Sequence, residues 1–599
     1  MKIEYSQLLL NENAYFYKLK RKLSKTDIEI IFQECLDGKK SSKKIFESKV
    51  KEPYIHGSAE LGKISLMVFE YKKRPSFLKK GAGNIFETKY GIFLIAEIRD
   101  LLAVIKKNVS GTKTFNSVVE KIDYNVLTHF LLTEKSKYEK IVSSNMNTAS
   151  NSVQRKIAEA DDLQGILSRF GASKQIINSL RVDNAGNKST VTINTSRVNS
   201  FNIQAEFVET IVWMESMVKL IQLAFKGSHQ KSNFINSFAI PIDFKSKIKE
   251  LEPAYLLIRL GSLKDDIENG LIKKCYRLET NEKVDFQKTI LGKECLFKLE
   301  SEDGILFKNG PYKVRVRKEL ITLLVDDFKD IILEFDDDYK VALNRYINER
   351  DLFIVVFDRF DFVYTHRKIF QDGRLLGDTT NFLNAFLPYK ELQHIESEKG
   401  SSFKNSSTNF DSNCLFGFVE RVLANDASYL ICDDLGVEWG DFISAKDDEI
   451  SFFHAKHHKD GLSASNLEEV FGQVQKNFGF LQLTEGMIEE RRIRWQSSYR
   501  LNKVQTSIKR IRKAPNGRGS VDDIKKYVIQ VSSNPNITRS IFVVINFISK
   551  SELEKAIELI KKGKTFSGQG VHLQILWFVN ALLANALELG AQFRIVCRP

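Results

Sequence analysis

The sequence predicts a multi-domain α/β protein, with α+β regions in its N-terminal part and a mixed sheet flanked by helices at its C-terminus. Three observations lead to that expectation. The chain has 599 residues, several times what a single hydrophobic core organises. Apolar residues make up 43% of it, enough for packed cores rather than disorder. Strand-like and helix-like runs alternate, interrupted by two stretches rich in Ser, Asn and other polar residues at 143–200 and 396–413, which read as linkers or exposed insertions. The expected division is therefore an α/β domain over 1–142, a polar linker or insertion over 143–200, a middle α+β domain over 201–395, a linker over 396–413 and a last domain over 414–599.

In chain order, residues 14–19 and 63–70 have the composition of strands, and 25–32 that of a helix capped by Ser24 or Thr26. Residues 92–98 fit strand or helix equally. Gly81-Ala82-Gly83 is too short for a phosphate loop and reads as a turn. One amphipathic helix is expected inside the polar stretch, at 153–170. The middle region opens with a helix at 205–225 and continues with strands at 254–259, 312–317 and 352–357. Six of its aspartates (Asp326, Asp327, Asp330, Asp336, Asp337, Asp338) form a loose cluster that lacks calcium-loop spacing and reads as solvated helix ends. Lys313, Arg315 and Arg317 alternate along one strand face, suited either to solvent or to a phosphate backbone.

The net charge of +14 favours anionic partners such as nucleic acid or an acidic membrane surface. Six scattered cysteines without CxxC spacing point to reduced thiols, and argue against a zinc ribbon or disulfide framework. The N-terminus lacks the apolar region of a signal peptide, and apolar runs such as 541–548 are too short to span a bilayer. The expected location is the cytoplasm, with no membrane partner.

The densest chemistry lies between 437 and 478. A short helix over 414–423 carries Glu420, a strand follows at 429–432, and 433–436 turns into a hairpin. Its strands are 437–445 and 450–456, joined by the polar turn 446–449. Side chains two apart share a strand face, so His454 and Lys456 point the same way, and Asp441 lies across from them. Ser465 and Glu468 have capping-box spacing and open a helix. Leu467, Val470, Phe471, Val474 and Phe478 form its apolar stripe, with Gln473 beside it. Residues 489–513 read as a cationic helix carrying Arg491, Arg492, Arg494, Arg500 and Lys503, with Trp495 and Tyr499 four apart. Phosphate neutralisation or a solvated face accounts for it equally. Strand 540–548, helices 552–562 and 571–589 and strand 593–597 would complete a mixed sheet. Lys564-Thr565 echoes the end of a Walker A loop, but Glu558 stands where glycine is required.

Over about the last third of the chain, Asp441, the hairpin, Ala455-Lys456 and the helix bearing Gln473 resemble the PD-(D/E)xK nuclease superfamily. The resemblance implies a restriction-endonuclease-like fold, with His454 standing where the family usually has Glu or Asp. It implies catalytic roles for Asp441, His454, Lys456 and Gln473, and Mg²⁺, or Mn²⁺ in view of the imidazole, held by Asp441, His454 and Glu420. It implies hydrolysis of nucleic-acid phosphodiesters, with DNA as the expected substrate. The layout also resembles large bacterial proteins of anti-phage defence. The alternative is a catalytically inactive nucleic-acid-binding or phage-sensing subunit of a defence complex. A defence partner protein, a phage-derived trigger and a homo-oligomeric state stay open.

Overall fold

The structure is a computed structural model of the chain. It describes residues 7–599 apart from 38, 46–47, 57–58, 76, 79–83, 110–111, 147–153, 165, 168–171, 203, 228–231, 233, 270, 286–295, 336–339, 360, 374–375, 377–378, 460–463 and 502–503. The turn expected at Gly81-Ala82-Gly83, Asp336 to Asp338 and Lys503 therefore lie outside the described residues. The chain divides into two units, Met1–Leu167 with Ser173–Gly373, and a second built chiefly from Arg374–Pro599. Both mix helices with strands, so the broad α/β, multi-domain expectation holds.

The first unit is built on a twelve-stranded antiparallel sheet. Its path runs from Arg155–Glu159 through Lys137–Asn145, Gln175–Asn184, Asn187–Thr192 and Arg197–Ser200 to Asn13–Leu19. From there it continues through Leu101–Lys107, Glu87–Ile98 and Ala59–Lys73 to Lys43–Lys44. The ambiguous run at 92–98 is thus strand. Ser24 caps the helix Lys25–Leu36, its hydroxyl accepting from the Asp27 amide at 3.0 Å while the Asp27 carboxylate accepts from the Ser24 amide at 2.7 Å.

Two expectations fail in this unit. Residues 143–200 are not a linker, because they supply strands to the same sheet as Asn13–Leu19. The expected helix at 153–170 is absent among the described residues, where Arg155–Glu159 pairs with Lys137–Asn145 instead. The Ser, Asn and Thr content hid a strand pattern: Ile176, Leu180, Val182, Val191 and Val198 are buried, with polar residues between them. A six-stranded sheet, with Ile240–Ile242, Lys368–Gln371, Phe362–Thr365, Phe353–Phe357, Pro253–Ile258 and Leu296–Lys298 in that order, belongs to the same unit.

The second unit is a seven-stranded mixed sheet. We label its strands β1 (Phe386–Pro388), β2 (Tyr429–Cys432), β3 (Phe442–Lys446), β4 (Glu449–Lys456), β5 (Ile511–Lys513), β6 (Thr538–Ser549) and β7 (Ala591–Arg598). The spatial order is β1-β7-β6-β4-β3-β2-β5. The neighbours from β1 to β4 are parallel, and those from β4 to β5 are antiparallel. The helices are α1 (Leu415–Phe418, continued by a π turn over Val419–Leu423), α2 (Ala464–Asn477), α3 (Glu485–Gln496), α4 (Val521–Ser532), α5 (Lys550–Lys561) and α6 (Gln569–Glu588).

Both faces of the sheet are buried. Ile443, Ile450, Phe452, Val543 and Ile545 pack with residues of α2 to α6. Phe442, Phe453, Ala455 and Val544 pack with α1 and with Tyr499. Helix α6 is 20 residues long and apolar enough to cross a membrane by length and composition. The expectation that every apolar run is too short overlooked it. Its buried residues Ile575, Val579, Leu582 and Ala586 pack into the core beneath the sheet.

Three further expectations are corrected here. Residues 396–413 are not a free linker. They form a strap in which the Leu415 and Phe416 amides donate to the Ser397 and Glu398 carbonyls, each at 3.0 Å. Phe410 of this strap packs edge-on against Phe416, Phe442 and Tyr499. Gly400 has φ +114, and a Cβ there would meet the Asp411 carboxylate at 2.6 Å, so the strap's bend requires glycine. The first hairpin strand begins only at Phe442, not at 437. The cationic helix ends at Gln496, and Ser498–Leu501, Val504–Lys509 and Ile511–Lys513 are strands. Trp495 and Tyr499 therefore do not share a helix. Alternating burial from 504 to 509 is the strand signal beneath the charge.

Candidate active site

The hairpin β3–β4 brings Asp441 to the open end of the ladder. Phe442 pairs with Phe453, so β3 has no backbone carbonyl left for the amide of Ala455. The Asp441 carboxylate fills that place, its Oδ2 accepting the Ala455 N–H at 2.7 Å, while its own amide donates to Phe453 at 2.8 Å. Oδ1 accepts no hydrogen bond from the described residues. Burial, and then the charge of Asp434, raise this carboxyl well above the usual carboxylate range.

Lys456 ends β4. Its ammonium lies 2.5 Å from Glu469 of α2 and 3.8 Å from Glu398 of the strap. Glu398 is 3.7 Å from Lys399, which pairs with Asp434 at 2.8 Å. The Tyr499 hydroxyl donates to Asp434 at 2.7 Å. Burial alone would lower the Lys399 pKa, but Asp434, with Asp441 and Glu398, more than reverses this and raises it. Asp441 and Lys456 thus join one charged cluster with Glu398, Lys399 and Asp434. Sequence reasoning missed these three, since Glu398 and Lys399 fall in the expected linker and Asp434 in the expected turn. A signal lay in Phe403 and Phe410, aromatic residues that a free linker has no reason to carry.

His454 does not join the cluster. Phe453 and Ala455 face the α1 side while Ile450 and Phe452 face the other, so alternation puts His454 on that second, helix-packed side. It is 1% exposed, its Nδ1 is buried without a partner among the described residues, and burial alone pushes its pKa down to about 4. Glu420 is held in a two-point ion pair by the Arg512 guanidinium, the second N–O distance being 3.2 Å. Gln473 is half-buried on α2, one turn beyond Glu469 and on the same helix face. Among the described residues, no three His, Cys, Asp or Glu side chains are placed to hold one metal ion. Asp441, His454 and Glu420 are therefore not brought together as a ligand set.

The cationic residues separate into two groups. Arg491 is buried, 3.7 Å from the fully buried Asp433 and stacked over Trp439 at 4.7 Å, and it also donates to the Val437 carbonyl. Asp433 accepts from the Trp439 amide at 2.9 Å and from the Trp495 indole at 2.7 Å, yet burial still raises its pKa to about 6. Arg492 is paired with Glu489 and with Asp522, the latter at 2.5 Å. Arg494 and Arg500 are exposed. Among the described residues of this set, only these last two keep the geometry expected of a phosphate-facing cation.

A mixed α/β sheet with a half-buried charged cluster at the end of its central hairpin is the class of protein that this unit defines. No protein-family model matches the chain, and no curated protein is detectably similar to it.

Proposed function

We propose that the second unit is a nuclease of the PD-(D/E)xK type, with a restriction-endonuclease-like core, hydrolysing nucleic-acid phosphodiesters, DNA foremost, in bacterial anti-phage defence. The observation that supports this most is the convergence of Asp441 and Lys456 on the Glu398, Lys399 and Asp434 cluster. A partly buried ammonium in a low-dielectric site stabilises charge on phosphoryl oxygens and orients a water. The Asp441 Oδ1, uncommitted among the described residues, is the acceptor available to a water or a cation.

Mg²⁺ or Mn²⁺, when bound, would polarise the phosphoryl group and acidify a water. Magnesium takes as few as one or two carboxylates and keeps its own waters. The donor chemistry of Asp441, with the Ala455 carbonyl and Glu398 beside it, suits that requirement without His454 or Glu420. Gln473 would approach the reacting group from α2.

A second reading is a nucleic-acid-binding or phage-sensing subunit without catalysis. The neutral, buried His454 and the Arg512-locked Glu420 favour it. The two readings part on cleavage of DNA by the purified full chain with Mg²⁺. As a nuclease it should cut, lose activity with a chelator, and lose roughly 100-fold or more in Lys456→Ala. Cleavage that Lys456→Ala leaves intact would remove the assignment, and binding without cleavage would select the second reading.

A further inference from the structure

The first unit carries a second charged assembly, at one end of its six-stranded sheet. Three neighbouring strands end there, with Ile258 paired to Phe353 and Val355 to Tyr364. Just beyond those ends stand Arg259, Asp351 and His366. The Asp351 carboxylate, in a residue 6% exposed, is 3.3 Å from Arg367 Nε and 3.8 Å from Lys121 Nζ. Its backbone carbonyl accepts from Arg259 at 3.5 Å. Asn194 Nδ2 lies 3.5 Å from His366 Nε2. The other nearby acids are engaged elsewhere, Asp266 with Arg350 at 3.9 Å and Asp123 with Lys368 at 2.5 Å. One carboxylate is thus shared by Lys121 and Arg367, while Arg259 reaches only the backbone carbonyl of the same residue.

The interior of this assembly is left unsatisfied. Arg259 Nε, His366 Nδ1, Asn194 Oδ1 and Thr365 Oγ1 are all buried without a hydrogen-bond partner among the described residues. Native structures leave few such atoms, and several together in one place point to a bound group. Burial holds the Arg259 guanidinium down to about 10. Burial, with Arg259 and Lys121 close by, keeps His366 well below its usual value, so the imidazole is neutral and offers one N–H. His366 and Arg367 also form the two-residue turn between paired Thr365 and Lys368, with φ of 50° and 60°. Asn-Gly fills such turns most easily, so the two functional side chains are placed there against local preference.

We propose that Lys121, Arg259, His366 and Arg367 form a binding site for a phosphate group. A tetrahedral oxyanion can take the guanidinium forks, the ammonium and the imidazole N–H together. Asp351 positions Lys121 and Arg367 without neutralising the site. The site lies within the first unit and does not depend on the nuclease reading.

The test uses the full chain and inorganic phosphate, compared with chloride at equal ionic strength, by calorimetric titration and thermal melting. Wild type should bind phosphate saturably and melt higher in its presence. Arg367→Gln and Lys121→Gln alter side chains that are 46% and 40% exposed, so they should fold and yet bind at least tenfold more weakly. Arg259→Gln should abolish binding, and the two exposed variants keep the test valid if it fails to fold. Tighter binding of a mononucleotide, or of a DNA oligonucleotide, would identify the molecule that carries the phosphate, and either supports the site. No stabilisation beyond chloride, or exposed variants that bind like wild type, would overturn it.

Discussion

His454 couples protonation to folding in the second unit. It is buried, Nδ1 has no partner among the described residues, and its pKa falls from 6.5 to about 4. A base whose folded pKa is depressed binds fewer protons when folded, so the neutral imidazole's contribution is complete above pH about 6.5 and is lost as pH falls toward 4. From neutral pH to about pH 5 the loss should be about 2 kcal/mol. Asp433 and Asp441, with raised pKa values, act in the opposite sense over the acid range. A comparison with His454→Leu cancels them, because both proteins carry both aspartates. The stability gap between wild type and variant, from urea denaturation at the two pH values, should change by that amount in favour of the variant at acid pH. An unchanged gap would mean that His454 is protonated or solvated in the folded protein.

Helix α3 contains cations with opposite duties. Arg491 neutralises the buried Asp433 and stacks on Trp439, tying α3 to the segment before β3. Arg491→Ala leaves a buried carboxylate unpaired and should destabilise the unit by about 3 kcal/mol. Arg494, on the same helix, and Arg500, on the following strand, are exposed. Replacing both with Ala should leave stability within about 0.5 kcal/mol. If they meet phosphates, the replacement should flatten the log–log salt dependence of DNA affinity by roughly 0.9 for each phosphate no longer neutralised. An unchanged slope would reduce them to solvated side chains. Urea melts and a salt titration of DNA binding separate the two duties.

At the scale of the whole chain, the second unit begins well before residue 414. Strand β1 pairs with β7, with the Tyr389 amide donating to Cys597 at 2.9 Å and the Ile595 amide to Ala385 at 2.8 Å. The strap adds Phe410 to the core and brings Glu398 and Lys399 to the charged cluster. A fragment starting at 414 would lack the buried Phe382, Phe386 and Phe410. Each such side chain is worth about 3–5 kcal/mol in a core, against a total stability of roughly 5–15 kcal/mol for a domain. A fragment 374–599 should therefore melt cooperatively and 414–599 should not, as differential scanning calorimetry would show. Equal cooperativity would detach β1 and the strap from the folding unit.

The sequence by itself determined most elements of the second unit: the β3–β4 turn, strands β4, β6 and β7, and the α2 stripe. Each is a local pattern of period 2 or 3.6, set by covalent geometry and readable without the rest of the chain. The cap of the first helix was likewise legible as Ser24 or Thr26, and the structure selects Ser24 with Asp27 as its partner. Tertiary structure alone decided which polar segments fold. Residues 143–200 and 396–413 look alike in composition, yet sheet neighbours recruit the first and an aromatic cluster holds the second. It alone decided which charges meet, placing Glu398 beside Lys456 and Arg512 on Glu420, and turning His454 into the core. Spacing along a strand fixes the face on which a residue lies; what stands opposite that face comes from residues distant in sequence, and no local period encodes it.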